Sequence, residues 1–170
     1  EMQRSLVGSE MCIRDRVNGA NFTDGLDGLA ASVTTLIAVF LTVIAVGTNA
    51  GIHPVICAVI GALLGFLCFN THPAKVFMGD TGSLALGGFV VSAAYMLKIP
   101  LFIPIVAFIY FIEVLSVIIQ VTYYKKTKKR IFKMAPIHHH FELSGWPETK
   151  VVSIFSIVTA VLCLIGMLAY

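Results

Sequence analysis

Three short stretches gather most of the polar residues of this chain that could do chemistry. The first, residues 18–28, reads Asn-Gly-Ala-Asn-Phe-Thr-Asp-Gly-Leu-Asp-Gly. It places Asn18, Asp24 and Asp27 among glycines that let a backbone approach a ligand closely and offer N–H groups to phosphate oxygens. The stretch leads into an apolar run expected to be a helix, whose N-terminus favours anions. The alternative is an Asp/Gly turn that only caps this helix. The second stretch, residues 70–83, sets Asp80 between Gly79 and Thr81-Gly82 at the start of another apolar run. A carboxylate there suits Mg2+, which keeps waters and substrate phosphate oxygens as its other ligands. Helix capping by the same segment is the plain alternative. The third stretch, residues 135–146, holds His138, His139 and His140 in a row. Histidines can bind a metal, move a proton or contact phosphate. Neighbours on a regular helix point in different directions, so a three-histidine zinc site is not expected. Solvated loop histidines are the remaining reading.

The elements that must carry these stretches are membrane helices. Of 170 residues, 58% are hydrophobic and 12% charged, too few charges to cover a water-exposed globule. The net charge of +3 is modest and gives no reason to expect a nucleic-acid partner. Apolar runs occupy 28–47, 53–69, 83–97, 101–124 and 151–170. A crossing helix needs about 17–25 residues. The third run is short and must borrow flanking residues. The fourth contains Pro104, so a kink or break is expected there. Lipid offers no partner to an open backbone, so helices are the economical solution. The expected fold is all-α, a polytopic transmembrane bundle of about five spans. Gly61, Gly65, Gly87 and Gly88 could permit close helix approach.

The basic residues set an orientation. Lys125-Lys-Thr-Lys-Lys-Arg-Ile-Phe-Lys133 is the strongest inside signal. Alternation through five spans then puts 17–27, 70–82 and 125–150 inside, with 48–52, 98–100 and Tyr170 outside. Lys98 is the single basic residue assigned outside beyond the leader. Asp24, Asp27, Asp80 and the histidines all fall on the inner face. The basic run also suits anionic headgroups or an anionic substrate. Glu113 lies inside the fourth run, where carboxylates are costly and often functional. An inter-helix hydrogen bond, with the acid protonated, is one role; an ion path is the other. His53 reads as an interfacial residue without chemistry. Cys12, Cys57, Cys68 and Cys163 show no metal-type spacing and read as small hydrophobes. Residues 1–16, Glu-Met-Gln-Arg-Ser-Leu-Val-Gly-Ser-Glu-Met-Cys-Ile-Arg-Asp-Arg, are polar, lack a signal-peptide core and read as a non-native, adaptor-like leader. Residues 17–170 form the remaining unit.

The strings NGANFTDGLDGLA, FNTHPAKVFMGDTGSLALGG and APIHHHFELSGW closely resemble the phospho-N-acetylmuramoyl-pentapeptide transferases. These belong to the polyprenyl-phosphate N-acetylhexosamine-1-phosphate transferase superfamily. The resemblance runs from about Val17 to Tyr170. It implies an enzyme of the bacterial inner membrane with its active-site loops in the cytoplasm. The implied reaction moves phospho-N-acetylmuramoyl-pentapeptide from UDP-MurNAc-pentapeptide to undecaprenyl phosphate, giving lipid I and UMP with Mg2+ as cofactor. By the same resemblance Asp80 is the metal ligand, while Asn18, Asp24, His138, His139 and His140 match residues needed for activity. Gly25, Leu26, Asp27, Asn70 and Phe77 match positions around the uridine, with Phe77 the residue to stack on uracil. The family fold has about ten transmembrane helices, and its first half carries a paired-aspartate motif that this chain lacks. The chain therefore reads as the last five helices, a fragment, and a homodimer is one assembly open to it. Three other readings stay open: a relative using UDP-GlcNAc, a transporter subunit with Glu113 in its path, and an inactive truncated product.

Overall fold

The computed structural model describes residues 18–170. The leader assigned to 1–16 and Cys12 lie outside the described residues. Among those described, every regular element is helical. A helical stretch over residues 18–23 precedes α1 (Leu29–Gly47), α2 (His53–Asn70) and α3 (Gly79–Met96). A 3-10 turn (Pro100–Phe102) leads to α4 (Ile103–Val106), α5 (Phe108–Thr127), α6 (Ile137–Glu142) and α7 (Glu148–Ala169).

Four helices, α1, α2, α5 and α7, are long and apolar enough to cross a membrane. The chain is a multi-pass membrane protein. The expected third span appears as α3, which begins at Gly79 rather than 83. Its Gly-Asp-Thr-Gly-Ser start dilutes its apolar content, which keeps it out of the set of four. At 18 residues it extends about 27 Å, just short of the roughly 30 Å hydrocarbon core. The borrowed first turn is thus what gives it nearly full length. The expected break in the fourth run is also present. Pro104 occupies the first turn of α4, where its missing N–H is harmless. The helix then ends at Ala107, with φ −99° and ψ 31°, before α5 starts.

The hub is α1, which packs against α2, α3 and α7. It buries Leu29, Val33, Ile37, Phe40, Leu41 and Ile44 on several faces. By contrast α2 buries only Ile56, Leu63 and Asn70 and leaves the rest of its apolar surface outward. An element apolar all round belongs in the middle of a bundle or in lipid, and these two helices show each case. At Gly166 a Cβ would lie 3.1 Å from Val106 Cγ1 and 3.2 Å from Phe40 Cε2, so glycine lets α7 close on α1 and α4. Among the described residues a Cβ on Gly61, Gly65 or Gly88 would meet nothing within 4 Å, so these glycines form no close contact between the described helices.

The two ends of the bundle sort the loops as alternation requires. At one end the 24–28 turn touches the 70–76 loop, the start of α7 and His138. At the other, the Phe102 and Tyr170 rings meet edge to face at 5.9 Å. Segments assigned to one side of the membrane from charge alone are therefore neighbours.

Candidate active site

The chemistry-bearing end is built around a glycine. Gly28 precedes α1 with φ +76°, a left-handed conformation that glycine adopts without strain. Its amide donates to Asn70 Oδ1 at 3.0 Å, and Asn70 Nδ2 donates to the Val76 carbonyl at 2.8 Å. Buried Asn70 thereby fastens the start of α1 to the loop after α2. Asp27 adds a second fastening: its Oδ2 accepts the Ala74 amide at 2.9 Å. On the far wall Ser83 Oγ lies 2.9 Å from Asn21 Oδ1 and donates to it, joining α3 to the 18–23 stretch. That stretch rests on α5, since a Cβ on Gly19 would lie 3.0 Å from the Tyr110 carbonyl oxygen.

These contacts enclose a polar cleft of about 260 Å3. Asp24, Gly25, Leu26 and Asp27 line one side. Asn70, Phe77, Met78, Gly79 and Asp80 line the other, with Asn21 between. Phe77 is 73% exposed, a largely open aromatic face. Asp24 is pushed up from 3.8 to about 6, first by burial and then by the negative charge of Asp80. Among the described residues no lysine or arginine lines the cleft. The donor set is hard oxygen, as Mg2+ requires, and the crowding of two carboxylates is the condition a divalent cation relieves.

The histidine row diverges as helix geometry demands. His138 is buried against Glu113, with Nδ1 3.1 Å from Oε2 and side-chain exposures of 1% and 0%. The approach is close but off the hydrogen-bond axis, so the charged and polar atoms of both side chains lack an aligned partner. The opposite ring edge supports the cleft floor: a Cβ on Gly25 would lie 2.3 Å from His138 Nε2. His139 Nδ1 lies 2.6 Å from Glu142 Oε2. His140 Nδ1 accepts the Lys133 amide at 3.1 Å, so its ring proton sits on Nε2. Neither of these two lines the cleft, nor does Asn18, which is exposed on the 18–23 stretch.

A protein-family model described as glycosyl transferase family 4 matches residues 7–98, more than half of the chain. The chain belongs to glycosyl transferase family 4. The match begins inside the stretch read as a leader. Family members with high similarity are the phospho-N-acetylmuramoyl-pentapeptide-transferases of three clostridial organisms. That of Clostridium novyi is 61% identical over 153 residues, covering 89% of this chain and 47% of the relative. For Clostridium acetobutylicum the figures are 60%, 89% and 48%. For Clostridioides difficile they are 56% over 155 residues, 90% and 48%. The chain spans about half the length of the curated relatives it matches.

Several residues of this family member's site escaped the sequence reading. Asn21 and Met78 also line the cleft, and their residue types alone do not mark them for binding. Glu113 was singled out, but nothing in its spacing pointed to His138. His72 and Glu148 join Asp27 across 45 and 121 residues of sequence, a link no local pattern encodes.

Proposed function

We propose that this chain forms part of an enzyme that transfers phospho-N-acetylmuramoyl-pentapeptide from UDP-MurNAc-pentapeptide to undecaprenyl phosphate, releasing UMP and giving lipid I. The observation that carries the reading is the single cleft in which the 24–27 turn, Phe77 and Asp80 meet above His138. The family membership and the names of the similar proteins support it. In this reading the cleft faces the cytoplasm of a bacterial inner membrane, as the basic segment 125–133 favours.

The residues divide the work. Phe77 stacks on the uracil while Gly25, Leu26 and Asp27 form the opposite wall. Asn70 holds that wall through its two backbone contacts. Asp80, with Asp24 beside it, would hold Mg2+, which when bound supplies charge neutralisation for the pyrophosphate. Phosphoryl transfer between two anions depends on alignment and charge compensation more than on covalent help. Asp24 and Asp80 supply the metal side of that compensation. His138 acts from beneath, fixing the height of the Gly25 backbone. His139, His140 and Asn18 do not line the cleft, and in this reading they contact sugar, peptide or lipid phosphate. The undecaprenyl phosphate reaches the cleft from the bilayer, between helices. Glu113 is closed against His138, and no observation places it on a transport path.

The test measures lipid I formation and UMP release in membranes holding this chain together with the helices that complete the enzyme. UDP-MurNAc-pentapeptide and UDP-GlcNAc are compared as donors. Release of UMP from the first and not the second, abolished in Asp80→Asn, is the expected result. Preference for UDP-GlcNAc would assign the chain to a different transferase. Equal turnover by Asp80→Asn would reject the cleft as the reaction site.

A further inference from the structure

Beside the cleft, three segments bring together side chains that neither the family resemblance nor the transfer reaction uses as a set. We propose that Asp27, His72 and Glu148 form a binding site for a first-row transition-metal cation of the Zn2+ type, separate from the Asp80 carboxylate.

The geometry is the argument. His72 Nδ1 lies 3.2 Å from Asp27 Oδ2 and 3.2 Å from Glu148 Oε2. Tetrahedral Zn2+ with bonds of about 2.0–2.1 Å separates its ligand atoms by roughly 3.3 Å. Two edges of the ligand triangle therefore already match, and all the donor atoms lie within 4.8 Å of one another. Rotation of one carboxylate closes the third edge, and water completes the shell. The donors are one imidazole nitrogen and two carboxylate oxygens. Imidazole selects zinc-like ions over Mg2+, which prefers oxygen ligands alone.

The ligands are also held from behind. The Ala74 amide donates to the same Asp27 Oδ2 at 2.9 Å. The Asp27 amide donates to Glu148 Oε1 at 2.5 Å, leaving Oε2 turned toward His72. Such outer contacts orient ligands and raise metal affinity. Solvent reaches the site, because the side chains of His72, Asp27 and Glu148 are 46%, 20% and 22% exposed. A bound ion would join the turn before α1, the loop after α2 and the first residue of α7.

The experiment titrates the full chain, in detergent micelles, with Co2+ as a spectroscopic stand-in for Zn2+. One saturable site per chain is expected, with visible absorption typical of mixed nitrogen and oxygen ligands, displaced by Zn2+ but not by excess Mg2+. His72→Ala and Glu148→Gln should each weaken binding roughly tenfold or more. His139→Ala/His140→Ala, altering the other histidine patch, should leave it unchanged. Because His72 is half exposed, its variant should keep the parent's helical circular dichroism and melting temperature, so lost binding reports the site. Absence of saturable Co2+ binding, or binding indifferent to His72 and Glu148, would overturn the proposal. That outcome would leave the transferase reading untouched, since the readout is the metal spectrum and not turnover.

Discussion

Gly25→Ala is the sharpest probe of how the cleft floor is built. The added Cβ would lie 2.3 Å from His138 Nε2, 2.8 Å from Cε1 and 3.4 Å from Cδ2. Comfortable carbon contacts begin near 3.5 Å, so the ring or the turn must retreat by about 1 Å. The ring has nowhere to go: His138 is 1% exposed, and Glu113 stands 3.1 Å behind its Nδ1. Overpacking of this kind costs about 1–3 kcal/mol, which is roughly 5- to 150-fold in a folding or binding equilibrium. If the turn yields instead, Asp24 and Leu26 move with it and the cleft loses its shape. The assay pairs thermal unfolding in detergent with binding of the uridine nucleotide, for Gly25→Ala, His138→Ala and the double variant. Removing the ring should relieve the clash, so the double variant should be less impaired than the sum of the singles. Gly61→Ala and Gly65→Ala are the controls. Open space surrounds both, so loss of a helical glycine should leave stability equal or raise it by about 0.5–1 kcal/mol. Unchanged stability and binding in Gly25→Ala, or strict additivity with His138→Ala, would refute the packing argument.

Asp80→Asn should abolish lipid I synthesis in the assembled enzyme while leaving the melting temperature within a degree or two of the parent, because Asp80 is exposed. Phe77→Ala should leave stability unchanged but weaken uridine nucleotide binding by the roughly 1–3 kcal/mol of a base–aromatic stack, with Phe77→Tyr retaining it. The pH dependence of Asp24 has a defined sign. Its folded pKa is raised from 3.8 to about 6, so the protonated form is the one the fold favours. Its stabilising contribution is present below about pH 4 and is lost as pH rises through about 6. The difference in stability between parent and Asp24→Asn should change over that window and be flat above it, whereas a constant difference would contradict the raised pKa. Glu113→Ala should destabilise by about 2–5 kcal/mol, since it opens a cavity against the buried His138 ring. Chemical denaturation at matched detergent concentration measures this.

Much of the architecture was legible because lipid simplifies the code. Backbone groups must pair internally, so apolar run length alone located α1, α2 and α7, and Pro104 announced the break that ends at Ala107. Basic residues assign three loops to one face, and the contacts of Gly28, Asp27 and Gly25 join those loops. Two features resisted. The Gly61/Gly65 spacing resembled a packing motif, yet spacing fixes only which residues share a face, not whether that face meets a helix or lipid. The start of α3 was set four residues late because a polar first turn suppresses the apolar signal while the backbone remains helical.

The site was legible in its ingredients and illegible in its connections. Asp24, Asp27 and Asp80 stand out by residue type and glycine spacing, Asn70 and Phe77 only through the family resemblance, and all five line one cleft. Residue type and spacing alone do not divide them by role. Asn70 and Asp27 are engaged by backbone groups, whereas the Phe77 ring is exposed. His138, His139 and His140 form the clearest case. A helix turns about 100° per residue, so divergence of the three rings is expected, but what each ring meets is not written in the local sequence. The first ring supports Gly25 from below, the second meets Glu142, and the third accepts an amide of the basic segment. Substituting the three singly should therefore yield three different phenotypes. Only His138→Ala should couple energetically to Gly25, since that ring alone touches the cleft floor.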